Sequence, residues 1–128
     1  GDRVNVEPAM RAGQPIGGHF ISGHVDGIGR VQEVSTRWHT CYLTICVPKQ
    51  VMLYLVPQGS IVVNGVSLTI VEVGRDWFSV ALTSYTQAHT NLGQLKKGDP
   101  VNIEVDMFAK YMIQFLKYAK ISHRRSRV

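Results

Sequence analysis

The sequence predicts an all-β protein built from short antiparallel strands, followed by one helix near the C-terminus. Several short runs alternate apolar and polar residues with the period of two that is typical of half-buried strands. Turn sequences recur between these runs at the spacing of a small sandwich or barrel. Strands do not alternate with long helices, which argues against a parallel α/β fold.

The strands can be placed by their turns. Residues 40–47 alternate throughout, and a short apolar stretch at 51–56 predicts a single helical turn. An Asn64-Gly65 pair then predicts a tight hairpin, because both residue types tolerate positive φ. Three further strands follow turn sequences, at residues 66–73, 77–83 and 101–106.

A helix is predicted over residues 107–120, which contain neither Gly nor Pro. Large apolar side chains recur there at intervals of one, three and four, which draws a single stripe along a helix. Asp106 stands at the N-cap position, where its carboxylate can accept from free amides. The stripe either covers the open end of the β-structure or packs against the same helix of other subunits.

Size and charge limit the function classes. The chain has 128 residues, enough for one domain, and a formal net charge of +5. Three arginines lie in the last five positions, which predicts a solvated, frayed tail, with binding to an anionic partner as the alternative. No basic stripe with interleaved aromatics suggests nucleic-acid binding.

A cytoplasmic location is expected. No apolar run reaches the roughly 20 residues that span a bilayer, and we expect no signal peptide and no membrane partner. Cys41 and Cys46 lie five residues apart, on opposite faces of a strand. We therefore expect two reduced thiols rather than a disulfide.

An internal repeat is the most informative feature of the organisation. The sequence GDRVNVE at residues 1–7 returns as GDPVNIE at residues 98–104. Self-similarity at this distance predicts a tandem duplication of one structural unit. The chain is accordingly predicted to begin inside the last strand of a preceding copy.

Residues 17–29 contain five glycines, a cost in backbone entropy that suggests bulges or the close approach of a ligand. His19 and His24 are five apart, without helical metal-ligand spacing, so no metal site is predicted. His24 is a candidate site residue, although a lone histidine is more often structural. Gly27 and Gly29 lack the third glycine and the strand-to-helix setting of a dinucleotide loop.

Ser67 and Thr69 form a second candidate cluster. Their i, i+2 spacing places both hydroxyls on one side of a strand, where they could hydrogen-bond a polar heterocycle. A solvent-facing strand surface is the alternative. The chain has no Ser-His-Asp order with an elbow turn and no carboxylate pair suited to glycoside chemistry.

Four segments together resemble riboflavin synthase: GGHFISGHVDG, NGVSLTI, TNLGQLKKGDPVNIEVDM and KYMIQFL. The resemblance covers nearly the whole chain before the basic tail. It implies a six-stranded antiparallel Greek-key barrel with a C-terminal α-helix, in a family of two such barrels that trimerises through that helix. The implied division is 1–14 as the end of a preceding barrel and linker, 15–106 as a lumazine-binding barrel, 107–120 as an oligomerisation helix and 121–128 as a basic tail.

The resemblance also implies an activity. Two 6,7-dimethyl-8-ribityllumazine molecules exchange a four-carbon unit, giving riboflavin and a pyrimidinedione without metal or cofactor, at a site between barrels of different subunits. It carries a catalytic role to His24, Thr69 and Asp106. It carries a substrate-binding role to Gly23, His24, Val25, Gln58, Ser67, Leu68 and Thr69, and to a strand comprising Ala81, Leu82, Thr83, Ser84, Tyr85 and Thr86.

The sequence departs from the family pattern at two places. Gln58 replaces a usual lysine, so it can donate a hydrogen bond but carries no charge. The run Ser84-Tyr85-Thr86 keeps only the threonine of the family's pattern. Two other functions are carried as alternatives: a non-catalytic antenna-type lumazine or flavin carrier, and an isolated barrel that binds the ligand without efficient turnover because its partner barrel is missing.

Overall fold

The computed structural model describes residues 1–125, with side chains described through residue 119. It contains six β-strands and three α-helices. The strands are β1 (Gly27–Arg37), β2 (Thr40–Cys46), β3 (Ser60–Val63), β4 (Val66–Val73), β5 (Trp77–Leu82) and β6 (Pro100–Val105). The helices are α1 (Lys49–Met52), α2 (Ser84–His89) and α3 (Met107–Arg125), with a 3₁₀ helix at Asn91–Gln94.

The six strands close into an antiparallel barrel with the order β1-β2-β5-β4-β3-β6, in which β6 returns to pair with β1. The chain crosses over between β2 and β3 and again between β5 and β6, which gives Greek-key connectivity. Closure leaves no unpaired strand edge. The predicted all-β barrel with a C-terminal helix is confirmed.

Two tight turns set the register of the barrel. Asn64 and Gly65 have φ of 48° and 82°, and they join β3 to β4 as predicted from their residue types. Trp38 and His39 have φ of 50° and 68° between β1 and β2. The sequence signals this second turn only weakly, because neither residue is Gly and only His39 belongs to a type that is enriched at positive φ.

The barrel is filled by the inward side chains of every strand. On β2, Cys41, Leu43 and Ile45 are buried, whereas Cys46 points outward and is half-buried. The predicted placement of the two cysteines on opposite faces is therefore confirmed, and both are free thiols. Phe78 of β5 is the largest fully buried side chain and packs in the centre of the core.

Helix α3 begins at the predicted position. Asp106 Oδ1 accepts a hydrogen bond of 2.9 Å from the Phe108 amide, which confirms the N-cap. The apolar stripe is exposed instead of packing over the barrel, with Tyr111 and Phe115 each about 70% accessible. This contradicts the first of the two alternatives for the stripe. The helix extends to Arg125, five residues beyond the predicted end, and the rest of the predicted basic tail lies outside the described residues.

Residues 1–26 contain neither strand nor helix and run along the outside of the barrel. Their attachment depends on side-chain hydrogen bonds, such as those of Asn5 to Asn64 and Asn91. Over the described part of the chain, no helix is long and apolar enough to cross a membrane.

Candidate functional site

The outer face of β3, β4 and β6 brings polar side chains from three strands into register. Val62 of β3 pairs with Ser67 of β4 on one side and with Glu104 of β6 on the other. Ser60, two residues earlier in β3, pairs with Thr69. Since side chains alternate along a strand, all five point away from the core. The two hydroxyls predicted to share a face, those of Ser67 and Thr69, do so.

Asp106 lies at the edge of the same face. It follows Val105, which pairs with Ile61, so it continues the outward positions of β6 next to Ser60. One carboxylate oxygen, Oδ1, is occupied by the cap on α3. The other, Oδ2, accepts no hydrogen bond from the described residues and is therefore available to a ligand.

Residues 17–26, which we call the covering segment, lie against this face. His19 Nδ1 is 2.8 Å from Ser67 Oγ. Gly18 is so close to the same hydroxyl that an added Cβ would overlap it, which explains the need for glycine there. His19 Nε2 is buried without a hydrogen-bond partner among the described residues.

Glu104 fixes the next part of the covering segment. Its side chain is only 7% accessible, and its carboxylate accepts three hydrogen bonds. Oε1 accepts from the Ser22 amide at 2.7 Å and from Ser22 Oγ at 2.8 Å, and Oε2 accepts from the Gly23 amide at 3.0 Å. Gly23 adopts φ of 77°, a conformation that a side chain would strain.

Asp26 fixes the end of the covering segment. Its Oδ2 accepts from the Val105 amide at 2.8 Å, and its own amide donates to the Ile103 carbonyl at 2.8 Å. Asp26 Oδ1 also forms an ion pair of 2.7 Å with Nζ of Lys110, on the first turns of α3. The covering segment is thus attached to both the last strand and the helix.

The three predicted catalytic residues are not directly bonded to one another. His24 lies in the covering segment between the two attachments, is exposed, and forms no hydrogen bond or ion pair with the described residues. Thr69 is likewise exposed on β4. The structure therefore places His24 on the loop bound to β6, and Thr69 and Asp106 on or beside the outer strand face. The His24 and Thr69 side chains have no hydrogen-bond partner among the described residues, whereas Asp106 keeps only Oδ2 open.

A groove of about 300 Å³ lies between the covering segment and the barrel. Ile21, Val25 and Val62 give it apolar walls, and Asn64 and Glu104 supply polar groups. This volume is at the lower end of the range for small-molecule sites, roughly 300–1,000 Å³. Of the predicted site residues, Gly23 and Val25 line this groove, whereas His24, Ser67, Thr69 and Asp106 do not. A wider, open groove of about 840 Å³ beside Trp77 is lined by none of the predicted site residues.

The predicted binding strand at residues 81–86 is wrong in its second half. Strand β5 ends at Leu82, and α2 begins at Ser84. The change occurs because Thr83 Oγ1 accepts a 3.1 Å hydrogen bond from the Thr86 amide and caps a helix. Tyr85 stacks on His89, one turn along the same short helix, with ring centroids 4.0 Å apart.

Other predicted binding residues differ in what they can offer. The Leu68 and Leu82 side chains are buried in the barrel core, so only their backbone can reach a ligand on the outer face. Ala81, which is half-buried, lies on the outward side of β5. Gln58 is exposed at the turn before β3. Its backbone amide donates to the backbone carbonyl of Ile70, next to Thr69 on β4.

Sequence reasoning missed the two carboxylates that organise the site, Glu104 and Asp26. The internal repeat contained a signal for Glu104, because Glu7 and Glu104 occupy the same position in the two copies, at residues 1–7 and 98–104. A buried carboxylate is costly unless it is hydrogen-bonded, so a glutamate kept inside a strand repeat indicates a fixed partner. No group of three or more His, Cys, Asp or Glu within residues 1–125 could hold a metal ion.

The fold and site define a closed Greek-key barrel with a groove on its outer face, beneath an attached loop. The chain belongs to the lumazine-binding domain family, whose model matches residues 22–106, from the covering segment to the helix cap. The described site residues from Ser22 to Asp106 all fall within this match.

Curated relatives agree with this family. The chain is 41% identical over 122 residues to the riboflavin synthase of Mycobacterium tuberculosis strain H37Rv, covering 93% of this chain and 61% of the relative. It is 40% identical over 119 residues to that of Bacillus subtilis strain 168, covering 93% and 55%. The chain thus spans little more than half the length of these relatives.

Solved structures also match the barrel. LumP complexed with riboflavin superposes with a TM-score of 0.67 and 28% identity, covering 73% of this chain and 50% of that one. LumP complexed with 6,7-dimethyl-8-(1'-D-ribityl) lumazine gives a TM-score of 0.64 and 27% identity, covering 69% and 49%. The likeness therefore covers about half of LumP.

Proposed function

We propose that this chain supplies one lumazine-binding barrel of a riboflavin synthase. The reaction is a dismutation in which one 6,7-dimethyl-8-ribityllumazine gives a four-carbon unit to another. The products are riboflavin and 5-amino-6-ribitylaminopyrimidinedione. The observation that carries the proposal is the polar outer face of the barrel, where the Ser67 and Thr69 hydroxyls lie on β4 and His24 lies in the covering segment, in a chain about 40% identical to riboflavin synthases.

The free groups of the site suit this chemistry. The C7 methyl of the lumazine is acidic because its anion delocalises into the ring, so a base and hydrogen-bond donors would stabilise the carbanion. Imidazole exchanges protons near neutral pH, and His24 has no competing partner among the described residues. The Thr69 hydroxyl would orient the heterocycle, together with the Ser67 hydroxyl once the ligand displaces its contact with His19 Nδ1, and the open Asp106 Oδ2 would anchor it or relay a proton.

Turnover requires two lumazines, and we place the second in another barrel. The repeat at residues 1–7 and the extent of the relatives both support a preceding barrel in the full-length enzyme. The exposed apolar stripe of α3, which includes Phe108, Tyr111 and Phe115, supports a homotrimer assembled through this helix. Two free thiols agree with a cytoplasmic enzyme.

The second candidate function is a non-catalytic carrier of lumazine or flavin. The similarity to LumP favours it, since LumP was solved in one structure with riboflavin and in another with 6,7-dimethyl-8-(1'-D-ribityl) lumazine. In that case the same groove would hold the ligand without acting on it. An isolated barrel would behave in the same way, since it lacks the partner that brings the second lumazine.

Fluorescence and absorbance assays separate these functions. We expect the chain to bind 6,7-dimethyl-8-ribityllumazine, and to form riboflavin when the preceding barrel is added in trans. His24→Ala should lower that turnover about 100-fold, as loss of a general acid–base group does. His39→Ala, in the exposed β1–β2 turn, is the control and should have no effect.

Binding without riboflavin in the two-barrel mixture would support the carrier. Undiminished turnover by His24→Ala would contradict the catalytic role proposed for His24. It would not contradict the proposal that the chain is part of a riboflavin synthase.

A further inference from the structure

Residues 22–26, the His24 loop, are attached to the barrel on both sides of the histidine. The attachments on the two sides are of the same kind, since each uses a carboxylate. Glu104 reaches out from β6 to the residues before His24, and Asp26 reaches back to β6 from the residue two positions after it. His24 itself is left without a partner.

The attachment before His24 is specific to the loop. All three hydrogen bonds of the buried Glu104 carboxylate come from Ser22 and Gly23, and none comes from the barrel. A buried carboxylate left without hydrogen-bond donors would be strongly destabilising. The loop therefore satisfies Glu104, and Glu104 in turn fixes the backbone immediately before His24.

The attachment after His24 links the loop to two elements. Asp26 exchanges backbone and side-chain hydrogen bonds with Ile103 and Val105 of β6. The same carboxylate pairs with Lys110 of α3, whose ammonium and partner are both only partly exposed. The position of the loop after His24 thus depends on β6 and on α3, the helix that carries the exposed apolar stripe.

The backbone of His24 is fixed by one attachment before it, at Ser22 and Gly23, and by one after it, at Asp26. The Cα atom of His24 therefore has little freedom of position. A rigid backbone supports a side chain better than a mobile loop does, and misplacement of about 1 Å can cost on the order of 100-fold in rate. We infer that Glu104 and Asp26 are positioning residues, which fix the backbone of the His24 loop on both sides of His24. The inference rests on the proposed function, because the purpose of the positioning is proton transfer to a bound lumazine.

The loop anchors can be tested in this chain without turnover. In Glu104→Gln, an amide NH₂ replaces one acceptor oxygen and opposes a donor of the loop. We expect the Ser22 and Gly23 amides to exchange hydrogen about tenfold faster, and the ring resonances of His24 to move towards those of an unrestrained histidine. The His39 and His89 resonances should stay in place. Glu72→Gln, on the exposed side of β4, is the matched control.

Asp26→Asn tests the second anchor. It keeps an oxygen for the Val105 amide and loses the ion pair with Lys110, so we expect a smaller movement of the His24 resonances, in the same direction. Asp76→Asn, an exposed residue in the turn before β5, is its control. His24 resonances that do not move in Glu104→Gln or in Asp26→Asn would overturn the inference.

If Glu104→Gln does not fold, two substitutions of the exposed Ser22 test the same attachment. Ser22→Ala removes one donor to Glu104 and should shift the His24 resonances, whereas Ser22→Thr keeps the hydroxyl and should restore them. Identical spectra for these two variants would contradict the proposed positioning. Failure of the unmodified chain to bind 6,7-dimethyl-8-ribityllumazine would count against the proposed function alone, since the resonance shifts are measured without ligand.

Discussion

The inner and outer faces of this barrel are organised by different interactions. The inner face is formed by alternating apolar side chains such as Leu43, Ile45 and Phe78, which touch one another inside the closed sheet. The outer face of β3, β4 and β6 is organised by hydrogen bonds between polar side chains and residues 1–26. Apolar burial gives the barrel its stability, whereas directional polar contacts give the candidate site its shape.

The difference shows in how each face responds to change. Burial is roughly proportional to area and does not depend on direction, so a core tolerates swaps of similar volume. A hydrogen-bonded attachment depends on single atoms, and removing one acceptor leaves specific donors unpaired. Substitutions on the inner face should therefore lower global stability, and those on the outer face should loosen the covering segment while the barrel stays folded.

The largest effect is expected from Phe78→Ala. The ring is fully buried in a core cluster to which several strands contribute, so its removal leaves a cavity there. We expect the free energy of unfolding to fall by about 3–5 kcal/mol, measured by urea denaturation. Trp38→Ala is the control: that ring is 97% accessible, and we expect a change within about 0.5 kcal/mol. Equal losses in the two variants would contradict the packed interior.

A smaller and more local effect is expected from Asn5→Ala. Asn5 Nδ2 donates to the Asn64 backbone carbonyl at 2.8 Å and to Asn91 Oδ1 at 3.0 Å, and Asn5 Oδ1 accepts from the Asn91 backbone amide at 2.8 Å. Loss of these bonds should weaken the attachment of the N-terminal segment by about 1–2 kcal/mol. Trypsin should then cut after the exposed Arg11 about tenfold faster, with the urea midpoint of the barrel nearly unchanged.

The matched control for this change is Asn102→Ala. Asn102 holds the equivalent position of the sequence repeat, but its side chain is exposed and bonds to no described residue. Cleavage at Arg11 should keep its original rate in this variant. If Asn5→Ala instead lowers the urea midpoint as much as a core substitution does, the separation between the two faces does not hold.

The sequence predicts the barrel well where one face of a strand is buried and the other is not. Strand β2 shows this alternation throughout and β4 over its first half, while in β5 and β6 the polar Ser79 and Glu104 keep the alternation visible in the sequence although both are buried. The predicted bounds of these four strands are correct to within a residue or two. The Asn64-Gly65 turn and the Asp106 cap are also local signals, written in the residues that form them. Such features depend little on the rest of the chain.

Two strands were missed because their alternation is broken. In β3, Ile61, Val62 and Val63 are all buried, since the covering segment shields the outward Val62. In β1, the register with β2 shifts between Val31 and Glu33, so the alternation is interrupted at a bulge. In both places the pattern depends on parts of the chain that lie far away in sequence.

The candidate site was predictable only in part, for the same reason. The Ser67–Thr69 face follows from a spacing of two, whereas the contact of His19 with Ser67 spans 48 positions. The bonds of Glu104 to Ser22 and Gly23 span 82 and 81 positions, so no local pattern contains them. The resemblance supplied the roles of His24, Thr69 and Asp106, which remain proposals.

The smallest effect contrasts the two faces within a single strand. On β2, Cys41 is 8% accessible and faces the core, whereas Cys46 faces outward and bonds Gln32 at 3.3 Å. Burial raises the pKa of the Cys41 thiol, because the thiolate would lose its solvation. We expect iodoacetamide to label Cys46 first at pH 8 and to reach Cys41 only as the barrel unfolds, as peptide mass spectrometry would show.

The raised pKa of Cys41 also has a consequence for stability. A group whose pKa is higher in the folded than in the unfolded state contributes stability at low pH, and this contribution is lost as the pH rises. Cys41 loses its proton more readily in the unfolded than in the folded state, so rising pH favours the unfolded state. The urea midpoint should therefore fall as the pH passes upward through the ordinary pKa range of a thiol. In Cys41→Val, which keeps an apolar side chain of similar size, that fall should be smaller. If Cys46→Ser flattens the pH dependence instead, the outer rather than the inner thiol is responsible, and the contrast between the faces of β2 is reversed.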